Sequence, residues 1–195
     1  CVWAPDVIFD SEHGEYLVHW SSKHRCNNYG NMAIYGSRTK DFVHYSEPEL
    51  IYRKPDSSII DSAMYEEKGK FYLFVKSNPD NLLLLVSDHV NGKFERVEGF
   101  DDSMGAQTKG MYEAPTAVKL ADGRWCLFAD FYGAGCAGQG YVPFVSDDLT
   151  KGVFTRADEA FHFPYGFKHG TILPITEEEY ERMLARDWTD VPDLR

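Results

Sequence analysis

Three acidic residues recur along this chain at a near-constant interval: Asp6, Asp61 and Glu113, separated by 55 and 52 residues. Carboxylates that sit in register within repeats converge when the repeats fold alike, and carboxylates gathered in one pocket can divide acid and base work between them. Any of the three could instead cap a turn or pair with a Lys or Arg; the shared place in the repeat favours chemistry for Asp61 and Glu113. His169 follows Glu113 by 56 residues. On its own it would read as a satisfied core histidine. His13, His19, His24, His44, His89 and His162 share no spacing and read as structural.

Other chemistries fit poorly. Cys1, Cys26, Cys126 and Cys136 form no CxxC pair and have no Cys/His ligand spacing, so neither a structural zinc nor a disulfide follows from them, and Cys136 has no nearby His to make it a nucleophile. Gly133 to Gly138 matches GxGxxG, yet the residues after it, Gln139 to Val145, are strand-like where a dinucleotide site requires a helix. It reads as a flexible loop at a rim. With 31 acidic and 20 basic residues the net charge is -11, which excludes nucleic acid and anionic membrane surfaces as partners. The longest apolar run, Leu82 to Val86, is far short of the roughly 20 residues of a membrane helix.

The elements that must position these groups repeat as well. Asp6 to Ser22, Asp61 to Ser77 and Glu113 to Asp130 each run acid, short strand, polar turn with glycine, aromatic strand. The turn glycines, Gly14, Gly69 and Gly123, lie 55 and 54 residues apart. Third strands follow at Met32 to Ser37, Leu82 to Ser87 and Tyr141 to Ser146, and fourth strands at His44 to Tyr52 and Phe94 to Val97. Four strands at a period of about 54 residues describe a propeller blade. The expected blades are 1–55, 56–108 and 109–165, with a part-blade at 166–176 whose strand is Gly170 to Ile175. The one expected helix is Glu177 to Arg186, capped by Thr176 and carrying Tyr180, Met183 and Leu184 on one face.

Trp3-Ala4-Pro5-Asp6, Ile60-Asp61-Ser62-Ala63, Tyr112-Glu113-Ala114-Pro115 and Lys168-His169-Gly170-Thr171-Ile172-Leu173-Pro174-Ile175-Thr176, in that order, resemble glycoside hydrolase family 43, the five-bladed β-propeller arabinofuranosidases and xylosidases. The resemblance implies an all-β fold, here about three and a half blades, with a blade preceding Cys1. It implies inverting hydrolysis, with Glu113 as general acid and Asp61 as the aspartate that tunes it and orients substrate. Asp6 and Trp3 would belong to the substrate-binding wall, Trp3 stacking on a sugar face. His169 would bind substrate or face an axial calcium through water, no cofactor being otherwise required. The general base has no match in these residues. Lys168 and Ser62 stand where the family often has Arg and Pro.

The family chemistry has a physical basis. Inversion needs a protonated acid and a carboxylate roughly 6.5 to 9.5 Å apart, which strands converging on an axis supply. A neighbouring carboxylate keeps such an acid protonated. The substrate expected is an oligosaccharide or polysaccharide, with a noncatalytic carbohydrate-binding propeller as the alternative. An open propeller edge is expected to favour self-association.

Overall fold

The computed structural model describes residues 1–25, 28–77, 82–107, 111–132, 140–161, 163 and 166–186. Its strands form three four-stranded antiparallel sheets, each threaded in chain order. The first contains β1 (Trp3–Asp10), β2 (Glu15–Ser22), β3 (Ala33–Thr39) and β4 (Glu49–Tyr52). The second contains β5 (Ile59–Glu67), β6 (Lys70–Ser77), β7 (Leu82–Ser87) and β8 (Glu95–Arg96). The third contains β9 (Tyr112–Lys119), β10 (Trp125–Phe131), β11 (Tyr141–Ser146) and β12 (Thr155–Arg156). The hairpins between first and second strands turn through Gly14, Gly69 and Gly123, all with positive φ (64°, 74° and 90°), as a tight hairpin requires.

The second sheet lies between the other two, which explains its composition. On β6, Phe71, Leu73 and Val75 enter one core with Ile8, Leu17 and Ile34 of the first sheet. Tyr72 and Phe74 enter another with Trp125, Leu127 and Phe144 of the third. Successive side chains of a strand point to opposite faces, so a strand covered on both sides must be apolar throughout. The run Leu82 to Leu85 divides in the same way, Leu83 and Leu85 facing the first sheet and Leu82 and Leu84 the third. Sheet contacts run mainly through the first strands, β5 against β1 and β2, and β9 against β5 and β6.

Several sequence expectations are corrected. A second helix, α1 (Glu98–Gln107), follows β8. Its sequence, with Gly99, two aspartates and a serine, is a weak helix former. Tertiary burial overrides that propensity: Phe100 and Met104, one turn apart, are buried in the core, and Phe100 meets Phe74 and Phe154 edge to face with centroids 5.7 and 5.6 Å away. Residues 170–176 form no strand. Among the described residues no neighbour offers that segment a ladder, and Leu173 and Ile175 are exposed.

The second helix, α2 (Glu177–Ala185), begins as expected at Thr176, whose hydroxyl accepts from Glu179 N–H while the Glu179 carboxylate accepts from Thr176 N–H, completing a capping box. β4 starts at Glu49 rather than His44, because Asp41 Oδ1 accepts from the N–H groups of Val43 and His44 (2.9 and 2.8 Å) and folds that stretch into a turn. No described helix is long and apolar enough to cross a membrane. The Gly133 to Gly138 loop, Cys26, Cys136 and His162 lie outside the described residues.

Because Phe100 is fully buried among aromatic rings, Phe100→Ala should lower unfolding free energy by about 3 to 5 kcal/mol in denaturant titrations. A loss below about 1 kcal/mol would show that α1 is not part of the core.

Candidate active site

The first strand of every sheet carries a register break at the same place. The ladder skips between Trp3 and Asp6, between Ile60 and Ala63, and between Glu113 and Thr116. In each break one non-glycine residue adopts the left-handed region: Ala4 (φ 45°), Asp61 (φ 52°) and Ala114 (φ 46°). His169 (φ 50°) repeats the feature in the segment after the third sheet. Such bulges re-aim side chains and are frequent beside active sites. Here they build one pocket of about 480 Å³, walled by residues 2–6, 61–63, 114–116 and 169–171.

This register revises the sequence alignment of the acids. Trp3, Ile60 and Glu113 stand just before the breaks, paired with Ser21, Lys76 and Asp130. Asp61 is equivalent to Ala4, Ala114 and His169, and Asp6 to Ala63 and Thr116. The three acids therefore do not share one repeat position. Asp6 and Asp61 nevertheless line one pocket from different registers, and Glu113 abuts it through His169.

Trp3 is half exposed on the wall, so it is not a core residue. Asp6 lines the pocket, accepts from Val7 N–H at 2.9 Å, and has its carboxyl pushed above the usual range by burial. Asp61 is buried; its N–H donates to Ser21 Oγ (3.0 Å) and its Oδ2 accepts from Ala114 N–H (3.1 Å). Burial raises the Asp61 pKa, Glu113 adds to the rise, and His169 and Lys76 oppose it. Glu113 reaches the pocket through His169, whose Nε2 lies 3.2 Å from Glu113 Oε1.

Several residues of the second strands were missed by sequence reasoning. Asp130 is buried, lies 3.5 Å from His169 Nε2 through Oδ2, and among the described residues finds no hydrogen-bond partner for Oδ1. Burial, with Glu113 adding to it, pushes its pKa up to about 6. Lys76 is buried with its Nζ 5.6 Å from the centre of the Tyr132 ring. His19 is fully buried, meets Ser62 Oγ through Nδ1 at 2.7 Å, and is held neutral, with its pKa lowered to about 4 by burial. A signal was present in two of the strands: Lys76 and Asp130 interrupt the apolar runs Phe71 to Val75 and Trp125 to Ala129, while Ser21 at the same position lies in a strand with several polar residues. The ligand atoms of Glu113, Asp130 and His169 lie within 4.8 Å of one another, a trio that could hold a metal ion, with the unpartnered Asp130 Oδ1 a suitable hard donor.

A family model related to glycoside hydrolase family 43, described as "Probable glycosyl hydrolase domain", matches residues 1–181. The chain belongs to that family. Its propeller-type architecture is shared with solved structures of family 43 and related hydrolases. A thermostable family-43 glycoside hydrolase aligns with a TM-score of 0.63 and 15% identity over 87% of this chain and 60% of its own. An exo-β-1,3-galactanase from Phanerochaete chrysosporium, solved with galactose, gives 0.59 and 22% over 80% and 35%. A family 117 glycoside hydrolase of Zobellia galactanivorans gives 0.59 and 16% over 82% and 56%. This chain thus spans between about a third and three fifths of these structures' lengths. No curated protein matches it in sequence.

The raised pKa of Asp130 sets a pH dependence. The folded state holds this proton more tightly than the unfolded chain, so the contribution to stability is greatest below the unfolded pKa of 3.8 and is lost as pH rises through about 6. Asp130→Asn should therefore flatten the fall in thermal midpoint between those limits. An unchanged slope in the variant would place the titration elsewhere.

Proposed function

We propose that the pocket is the sugar-binding and acid-carrying part of a glycosidase. The observation that carries this reading is the convergence of Trp3, Asp6, Asp61 and His169 on one pocket, with Glu113 against His169. The indole of Trp3 offers an apolar face to a sugar ring, and carboxyl groups raised by burial can donate hydrogen bonds to neutral hydroxyls. Glu113 is the general acid that protonates the leaving oxygen. Asp61, two hydrogen bonds deep in the frame, orients it. An inverting reaction on arabinofuranosides or xylosides is the proposed chemistry, and β-1,3-galactosides belong in the same assay because the Phanerochaete neighbour is an exo-β-1,3-galactanase.

An axial calcium belongs to this proposal. Its oxygens would come from Glu113 and Asp130, with His169 reached through water, and it would supply positive charge beside the acids.

A second reading has its own support. The resemblance assigns none of these 195 residues as general base, so sugar binding without hydrolysis is proposed as the alternative for this chain, and hydrolysis for a protein that also carries the base. The apolar residues Val2, Trp3, Val7 and Phe9 are exposed on or beside β1, which supports self-association through that edge.

Two outcomes test these readings. Titration with xylo-, arabino- and β-1,3-galacto-oligosaccharides should change Trp fluorescence in the wild-type chain, and Trp3→Ala should weaken binding at least about tenfold, as loss of a stacking platform does; equal affinities would remove Trp3 from the site. In a base-containing form, Glu113→Gln should slow unactivated glycosides by about 10² to 10⁴ and nitrophenyl glycosides much less, because a good leaving group needs little protonation. Equal losses on both would exclude Glu113 as the acid.

A further inference from the structure

Three of the four left-handed residues share a second feature: the N–H is captured by a side chain of the preceding sheet. Asp61 N–H donates to Ser21 Oγ at 3.0 Å, Ala114 N–H to Asp61 Oδ2 at 3.1 Å, and His169 N–H to Asp130 Oδ2 at 3.0 Å. Ser21 and Asp130 occupy the same ladder position, opposite Trp3 and Glu113. Their counterpart in the second sheet is Lys76, opposite Ile60. An ammonium group has three donors and no acceptor, so Lys76 cannot receive an amide proton. At that junction Asp61 does so instead.

The need for a latch is greatest at His169. Among the described residues its segment has no sheet ladder and is tied to the third sheet by a few bonds: Tyr141 N–H donates to Phe167 C=O (3.1 Å), the Tyr141 hydroxyl donates to Gly170 C=O (2.9 Å) and accepts from Gly170 N–H, and Asp130 takes His169 N–H. Asp130 Oδ2 also lies 3.5 Å from Nε2 of the same histidine, so one carboxylate oxygen reaches both its backbone and its ring. The same Nε2 meets Glu113 Oε1 at 3.2 Å.

We propose that Asp130 is a positioning residue that locks His169 in its left-handed conformation and holds the imidazole between Glu113 and the pocket. The latch itself follows from the geometry; its consequence for sugar binding rests on the glycosidase reading. Ser21 shows that a hydroxyl suffices for the backbone part, whereas the ring contact requires the longer carboxylate.

The test uses the whole chain with Asp130→Ala, Asp130→Asn and Asp130→Ser. Amide exchange at His169 should accelerate about tenfold in the Ala variant, as loss of one hydrogen bond in a locally opening segment predicts, while β9 and β10 stay protected. Asn and Ser, which keep an acceptor, should retain most of the protection. Xylo- or galacto-oligosaccharide binding should weaken in the order Asn, Ser, Ala. Equal His169 exchange in wild type and the Ala variant would overturn the latch. If the wild type binds no sugar, the exchange result still decides the latch, and only the functional reading fails. Should Asp130→Ala unfold the chain, the second junction decides: Asp61→Ala should deprotect the Ala114 amide, and adding Lys76→Ser should restore it by recreating the Ser21 arrangement. Failure of that restoration would refute the shared latch position.

Discussion

A non-glycine residue in the left-handed region costs of order 1 to 2 kcal/mol, and this chain accepts that cost at Ala4, Asp61, Ala114 and His169, spaced 57, 53 and 55 residues apart. The pocket depends on this recurring backbone feature. A regular strand would send alternate side chains into the inter-sheet cores. The break interrupts that alternation and presents short stretches of Ala4-Pro5-Asp6, Asp61-Ser62-Ala63, Ala114-Pro115-Thr116 and His169-Gly170-Thr171 to a common cavity. Strain of this kind persists only where surroundings over-determine it. The side-chain acceptors Ser21, Asp61 and Asp130 do so here, backed by the two apolar cores on either side of the second sheet.

The sequence made the coarse repeat legible because turn chemistry is local. Gly14, Gly69 and Gly123 mark hairpins whose positive φ any reader of turns would expect, and the strands Leu82 to Ser87 and Tyr141 to Ser146 are observed with those bounds. The helix at Thr176 was legible for the same reason, a cap and its Glu179 partner being three residues apart. α1 was not, since its existence depends on Phe100 and Met104 meeting side chains from distant strands.

The site was legible as a list and misread as a register. Counting from acid to acid treats Asp6, Asp61 and Glu113 as equivalent, but bulges break the ladder between the residues before and after them. Only the backbone reveals that Glu113 aligns with Trp3 while Asp61 aligns with His169. Asp130 was passed over because it ends an aromatic strand that resembles ordinary core. The exchange of Ser21, Lys76 and Asp130 at one position becomes informative only when their ladder partners are known.

The electrostatics of the pocket follow from the same construction. Its two acids Asp6 and Asp61, and Asp130 behind His169, have raised pKa values with burial as the leading cause in each. Groups moved in this direction oppose folding once ionised, so an electrostatic cost adds to the backbone strain, and at Asp61 the two fall on one residue. Lys76 and His169 offset part of it for Asp61, and backbone N–H groups offset part for all three. An anionic ligand would add a further charge to this cluster and meet repulsion from it. A neutral polyol adds no charge to carboxyl groups whose protonated forms burial favours, and the indole of Trp3 can cover its apolar face. On charge, the proposed carbohydrate ligand suits the pocket better than an anion does.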